Sequence, residues 1–574
     1  YNYAEKRAPD TLTLPFVDDF SYEGPYPDPS RWLERDVYIN DNYPTNKLSY
    51  GVATFDGLNE YGLPYNDNSL NVYGPADTLT SQPINLQGFD AADSVFLSFA
   101  YEPKGIGDKP EELDSLILEF RLIDTVWQQI WASPGSDSAI ANPQFQRVLI
   151  HITNPFYFND AFQFRFRNMA TITGNNDHWH LDYVYLDKDR SITDTLIRDL
   201  TVLNPVSNFL KNYTSMPWSH FNNNPSEADD NVLLSYRNNN VSPRNMKFSL
   251  EVTGNLSQSA IFDTSQSFFP FPPFSEFSKD YLTSFFIPFA SAPVNDDSVI
   301  ITLKSTCDFF TTDITMENDT VYQDVEFLNY FAYDDGTAER AYGVEGQGLK
   351  KFAYMFKLNH PDTLRAVQFH FSQINQNLSL NEFTLMVWGA IDLDNDGEGE
   401  DTLYVEERTP FQYLPMRNGF ALYVLDTPLL IQDSFYIGWQ QLITENVQLG
   451  LDLNNIATQH MFYYSSGTWK SSLVEGAPML RPVVGKKLRL STGTEDDEWA
   501  GRKFLLFPNP AGDFIELKHQ GGAQQIHIYD MQGRLVKRLI HYSGRIDISD
   551  LRAGLYCIRA GVKSRFVTLK FIKQ

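Results

Sequence analysis

Apolar and polar residues alternate with a period of two along much of this 574-residue chain, a pattern that suits strands and does not suit long amphipathic helices. In Phe162-Gln163-Phe164-Arg165-Phe166-Arg167 the phenylalanines fall on one face and the polar residues on the other. Val367, Phe369 and Phe371 do the same against Gln368 and His370. Residues 95–101, 116–122, 383–391 and 435–442 are further runs of this kind. Turn clusters such as Pro64-Tyr65-Asn66-Asp67-Asn68 and Gly174-Asn175-Asn176-Asp177 lie between them. No amphipathic helix longer than two turns is legible. The 43 Phe and 31 Tyr fit this reading, because rings pack well on a pleated, half-buried surface. Many short strands with turn-rich connections predict an all-β chain of tandem β-sandwiches.

Punctuation divides the chain into residues 1–190, 191–325 and 326–490, an acidic linker over 491–502 (STGTEDDE at its start), and a compact unit over 503–574. The last unit is basic, with 12 Lys and Arg against 5 Asp and Glu, a net of +7, while the remainder carries −35. A whole-chain charge of −28 argues against nucleic acid or an anionic lipid surface as a partner. Two cysteines 250 positions apart, Cys307 and Cys557, make no disulfide framework and read as ordinary thiols. No apolar run approaches the roughly 18 residues of a membrane-spanning helix.

Within the last unit, Phe507-Pro508-Asn509-Pro510-Ala511 is a stiff extended entry, since each proline fixes its own φ and restricts its predecessor. Asp530-Met531-Gln532-Gly533-Arg534 is a turn in which Gly533 can supply a positive φ. Ile546-Asp547-Ile548-Ser549 leads through Gly554 to Tyr556, and the chain closes on Lys570-Phe571-Ile572-Lys573. These four elements, in this order, resemble the C-terminal sorting domain of Bacteroidetes type IX secretion cargo. The resemblance implies a small Ig-like sandwich and export through the periplasm, after removal of a signal peptide that the polar opening Tyr1–Arg7 does not supply. It also implies recognition by the type IX translocon and its outer-membrane β-barrel shuttle. A sortase that attaches the mature protein to surface lipopolysaccharide is a further implied partner. The residues carrying recognition would be Pro508, Asn509, Pro510, Asp530, Gly533, Arg534, Gly554, Tyr556, Lys570, Phe571 and Ile572, with Phe571 and Ile572 either filling pockets on the shuttle or serving as core residues of the last strand.

The first segment resembles jelly-roll modules distantly like MAM or concanavalin-type domains. That likeness rests on Pro15-Phe16-Val17-Asp18-Asp19-Phe20, Phe55-Asp56-Gly57, residues 77–81, Phe164-Arg165-Phe166 and Asp177-His178-Trp179-His180-Leu181-Asp182-Tyr183-Val184. Residues 326–490, entered at Asp334-Asp335-Gly336, look similar to a second jelly-roll-like sandwich, and 191–325 reads as Ig-like. Jelly rolls often tie first and last strands together with calcium, so Asp19 and Asp182, short carboxylates beside strand ends, form a candidate structural calcium pair. His178, His180 and Asp182 share one strand face and could cluster around a metal, or the segment is a final strand anchored by Trp179. Asp392-Leu393-Asp394-Asn395-Asp396-Gly397 copies the first half of an EF-hand loop, but Leu403 stands where a bidentate Glu is required and strands flank it. It is either a partial calcium site at Asp392, Asp394 and Asp396 or a solvated acidic hairpin.

No G-x-S-x-G, H-E-x-x-H, G-x-x-x-x-G-K-[ST] or G-x-G-x-x-G motif occurs. Adjacent acids such as Glu111-Glu112 and Glu406-Glu407 face opposite sides of a strand. The expectation is therefore a non-enzymatic adhesive or ligand-binding surface protein, its ligand a glycan or protein. The alternative is a carbohydrate-active hydrolase with its catalytic carboxylates in a jelly roll.

Overall fold

The structure is a computed structural model in which residues 11–67, 71–122, 126–135, 144–194, 197–254, 257–265, 267–283, 299–309, 313–374, 377–379, 381–408, 413–441, 446–486, 505–507, 511–518, 523–530, 535–542, 544–552, 554–562 and 565–573 are described. The chain forms two compact units, Tyr1–Lys487 and Leu488–Gln574. Both are all-β, and the one α-helix among the described residues, Trp218–Asn223, is six residues long.

The first sandwich arises from the alternation. One sheet runs Tyr38–Asn40, Val52–Phe55, Trp179–Asp187, Phe96–Pro103, Gln146–His151, with Phe16–Asp18 also paired to Trp179–Asp187. Its partner sheet runs Tyr73–Thr80, Phe164–Thr171, Ser115–Arg121, Trp127–Pro134. Phe164 and Phe166 are fully buried while Arg165 and Arg167 turn outward to Glu119. Phe20, Trp32, Phe55, Phe99, Phe162 and Trp179 fill the space between the sheets. Each such side chain contributes about 1.5–3 kcal/mol by leaving water.

The next stretch pairs Leu200–Asn204, Asn231–Asn238 and Ser275–Leu282 in one sheet. A second sheet holds Ser257–Ser265, Arg244–Gly254, Val299–Phe309 and Thr320–Phe327. Beyond it, a six-stranded sheet orders Asp401–Arg408, Phe383–Ala390, Ser434–Gln441, Lys350–Lys357, Met461–Ser465, Thr468–Ser471, accompanied by two three-stranded sheets. A single apolar core runs from Leu200 to Val484, so the break near residue 325 is crossed by continuous packing. The short helix delivers Trp218 and Phe221 to that crossing, against Phe327.

Polar bonds tie the first sandwich to the later sheets of the same unit. Arg31 grips Glu317 through both terminal nitrogens (2.9 and 2.5 Å), Arg417 pairs with Asp56 at 2.7 Å, and the Tyr43 hydroxyl donates to the Ala338 carbonyl at 2.6 Å.

The second unit has seven strands in two sheets. One is Leu505–Phe507, Phe514–Lys518, Gly544–Asp547; the other is Leu535–Tyr542, Ala523–Asp530, Gly554–Val562, Arg565–Lys573. Ile515, Ile526, Ile528, Ile546, Ile548, Ile558 and Phe571 make its core.

Candidate cation centre, cleft and sorting module

Phe16–Asp18 pairs antiparallel with Trp179–Asp187, Asp18 opposite Val184. This register brings the Asp18-Asp19 end close to Asp182. Ser49 bridges the two: its Oγ lies 3.2 Å from the Asp19 carbonyl oxygen and 3.2 Å from each oxygen of Asp182. Two residues distant in sequence complete the neighbourhood. Asn318 donates its amide to Asp19 Oδ2 at 2.7 Å and to Asp199 Oδ2 at 2.5 Å, and the Tyr183 hydroxyl also donates to Asp199. Asp19, Asp182, Asp199 and Asn318 are all fully buried. Asp199 Oδ1 and Asn318 Oδ1 have no hydrogen-bond partner. Among the described residues no Lys or Arg forms an ion pair with any of these three acids.

Electrostatics follow from that geometry. Burial, reinforced by the neighbouring carboxylates, raises the pKa of Asp19 and drives those of Asp182 and Asp199 well above the usual range. Asp18 is pushed up to about 7 by burial, although Arg31 and the Trp32 indole N–H (2.6 Å) oppose the rise. Asp18, Asp19 and Glu317 each offer an oxygen within 4.8 Å of the others. Unpaired acids, orphan amide and carboxylate oxygens and an interior of oxygen donors suit a hard cation such as calcium. Sequence reasoning found Asp19 and Asp182. It missed Asp199, Asn318 and Ser49, which carry no local signal because they arrive from 30 to 299 residues away from Asp19.

The His178/His180 pair has other partners. His180 Nδ1 bonds Thr54 Oγ1 at 2.9 Å, while His178 Nδ1 receives the Asp108 N–H at 2.7 Å and its Nε2 sits 2.8 Å from Asn175 Oδ1. Burial lowers both to about 3, so both rings are neutral at physiological pH. Trp179 is fully buried beside them. A register shift between Asp182 and Tyr185, with Tyr183 at φ 46°, interrupts the alternation just where Asp182 sits.

The Asp392–Asp396 turn joins Phe383–Ala390 to Asp401–Arg408 as a hairpin. Its three carboxylates approach within 4.8 Å, but Asp392 already accepts from the Asp396 and Gly397 amides (3.2 and 3.0 Å), and Asp396 from Glu398 N (2.8 Å). Asp394 and Asp396 are exposed.

A cleft of about 540 Å³ opens between the first sandwich and the six-stranded sheet region, lined by Asn59, Leu63, Asp67, Gln373, Asn377 and Tyr413 among others. The Gln373 side chain is buried and its Nε2 has no partner. Among the described lining residues Asp67 is the one carboxylate.

In the second unit the last strand, Arg565–Lys573, pairs along its whole length with Gly554–Val562 and is the edge of its sheet. On its other side, among the described residues, only a bridge from Ala511 to Lys573 is made. Tyr556 donates to the Arg552 carbonyl at 2.9 Å and stacks on Phe571, ring centroids 5.5 Å apart. Phe571 therefore points into the core, fully buried, which is the second of the two alternatives for that residue and corrects the first, the shuttle pocket. The reason is parity: Tyr556 and Phe571 are opposite each other in the register and share the inner face. Gly554 and the backbones of Asp530, Lys570 and Ile572 lie in strands. Pro508, Asn509, Pro510, Gly533 and Arg534 lie outside the described residues.

Residues 505–574 match the family model described as the secretion system C-terminal sorting domain. The second unit carries a type IX secretion sorting domain. This domain is the basic module, and the match covers residues 505–574 of the second compact unit, Leu488–Gln574. No curated protein matches the chain. Solved structures with partial likeness include the glycoside hydrolase domain of Endo-D from Streptococcus pneumoniae R6 (9% identity, TM-score 0.20, 55% of this chain and 44% of that one). A putative beta-galactosidase from Bacteroides fragilis gives 10%, 0.19, 51% and 37%, and the CBM22-1-CBM22-2 tandem domain from Paenibacillus barcinonensis Xyn10C gives 7%, 0.19, 84% and 97%. The cargo thus spans less than half the length of these two hydrolases, and at such TM-scores the likeness carries no functional argument.

Proposed function

We propose that the body of this cargo is a non-enzymatic ligand-binding module, stabilised by calcium and displayed at the cell surface. The cleft beside Gln373 carries the reading. Its amides, the Tyr413 ring and an unpartnered buried donor suit the hydroxyls and flat faces of a glycan. A glycosidase would need a second carboxyl about 5–10 Å from the first. Glycan-array binding by the full chain, with a hydrolysis screen of every glycan retained, tests it. Binding lost in Gln373→Ala and Tyr413→Ala without turnover supports the reading; turnover that falls in Asp67→Asn would establish the hydrolase instead.

The calcium is assigned to Asp19 and Asp182, with Asp199 and Asn318 completing the shell. The Asp392–Asp396 turn is read as a solvated hairpin, since its own amides occupy its oxygens. For export, the outer-membrane shuttle is taken to add a strand along the free edge of Arg565–Lys573, main chain giving affinity and the +7 charge speeding encounter. Sortase cleavage and transfer to lipopolysaccharide would come next. Deleting residues 503–574 should leave a folded body retained in the periplasm; normal surface amounts of the truncated chain would remove the recognition role.

A further inference from the structure

A second group of acids lies apart from the Asp19 centre, at one end of the first sandwich. Glu111 and Asp114 form the turn entering the strand Ser115–Arg121, and Asp177 ends the loop before Trp179–Asp187. One oxygen from each of the three lies within 4.8 Å of the others. Asp114 and Asp177 are buried, Glu111 exposed.

Two of their oxygens accept backbone amides. Asp114 Oδ2 takes the Glu111 amide at 2.6 Å, and Asp177 Oδ2 takes the Thr171 amide at 2.6 Å. Asp177 Oδ1 is buried with no donor in reach. Among the described residues no Lys or Arg forms an ion pair with any of the three. Arg165 and Arg167 hold Glu119, and Arg340 donates to the Gly107 carbonyl at 3.0 Å. Three like charges converging on an orphan buried oxygen need a proton or a cation between them. Burial first, then mutual repulsion, holds Asp177 well above the usual carboxylate range, which expresses the same deficit.

We infer that Glu111, Asp114 and Asp177 form a second divalent-cation site, of calcium type, in the first sandwich. The donors are all oxygens and one face is open to water through Glu111, as a hard cation with mixed protein and water ligands requires. The ion would clamp the 104–114 loop to the 172–178 loop. Both loops touch the region after residue 325, through Gly107 to Arg340 and Asn175 to the Ala338 carbonyl at 3.1 Å, so filling the site would brace that junction.

The test uses the full chain in a D182N background, in which the Asp19 centre is disabled. Bound calcium is counted by equilibrium dialysis, and terbium emission is excited through tyrosine, Tyr73 being anchored beside the site by its bond to the Leu113 carbonyl (2.5 Å). One ion should remain, D177N should remove it together with the terbium signal, and E111Q, at an exposed position, should weaken it by about tenfold. D177N should melt no lower than its parent in chelator, which separates lost binding from lost folding. If D182N binds no ion, or binds one indifferent to both D177N and E111Q, the three acids share a proton and the site does not exist.

Discussion

Two buried acidic groups join the first sandwich to later parts of the body, and they solve the same problem differently. At one, Asp56 and Asp77 meet Arg417, whose nitrogens lie 2.7 and 3.3 Å from the Asp56 oxygens and also donate to the carbonyls of Asp36 and Leu58. Asp77 is satisfied by the Asp56 amide and the Tyr65 hydroxyl, each at 2.8 Å. At the other, Asp19, Asp182 and Asp199 gather around a neutral amide, and among the described residues no side-chain cation pairs with any of the three, Arg31 being held by the neighbouring Asp18 and Glu317. A folded chain tolerates buried carboxylates when a countercharge is covalently part of it. Where none is supplied, the acids must hold protons or recruit an ion from solution. The first arrangement should be indifferent to calcium and the second governed by it.

The largest effect should come from cutting the internal pair. Arg417→Ala leaves Asp56 charged and buried, and stability should drop by about 3–5 kcal/mol, equally in calcium and in chelator, as read by denaturant unfolding. A calcium-dependent loss would mean the two junctions are coupled. Next, calcium at a thousandfold excess over its dissociation constant should stabilise the parent by about 4 kcal/mol relative to chelator. Asp182→Asn should remove the share of that response that belongs to the Asp19 centre, leaving only what the Glu111, Asp114 and Asp177 site contributes, and, by relieving repulsion, melt no lower than the parent in chelator at neutral pH. Identical melting curves for the parent in both buffers would remove the Asp19 centre.

A third test reads pH. Asp19, Asp182 and Asp199 have folded pKa values raised above their unfolded ones, so their contribution to stability is complete below about pH 4 and is lost as pH rises through the folded values. Asp18, raised to about 7, puts part of that loss between pH 4 and 7. In chelator the unfolding free energy should therefore fall across this window, by about 1.4 kcal/mol per pH unit for each proton difference, and calcium should flatten the slope. A flat profile in chelator would mean the acids are not desolvated together. Smallest of all, Asp394→Ala in the exposed hairpin should change stability by less than about 0.5 kcal/mol with or without calcium. A calcium-dependent change there would transfer part of the ion binding to that turn.

Local pattern made much of this protein legible. Alternation at Phe164–Arg167 and Phe383–Ala390 is a property of neighbouring residues, and each became a strand, the first with its phenylalanines inward and the second buried on both faces, Leu385 and Val387 on one and Met386 and Trp388 on the other. The seven strands of the sorting domain were readable for the same reason, as its motifs sit within about 70 consecutive residues. Even Asp19 and Asp182 could be named as neighbours, although only Asp19 stands beside a strand end, Asp182 lying within Trp179–Asp187 at its register shift.

Tertiary structure decided the rest. Asn318 and Asp199 reach the acidic centre only because separate strands fold onto one junction, and no spacing rule links positions hundreds of residues apart. Arg417 was equally invisible as the partner of Asp56. The inward turn of Phe571 depends on which strand it faces, since a shift of one residue in register would have sent it outward. Short-range sequence determines the period and hence the strands. Which distant acids share a buried space, and whether a cation accompanies them, is set by the packing of whole sheets, where desolvation makes each missing countercharge decisive.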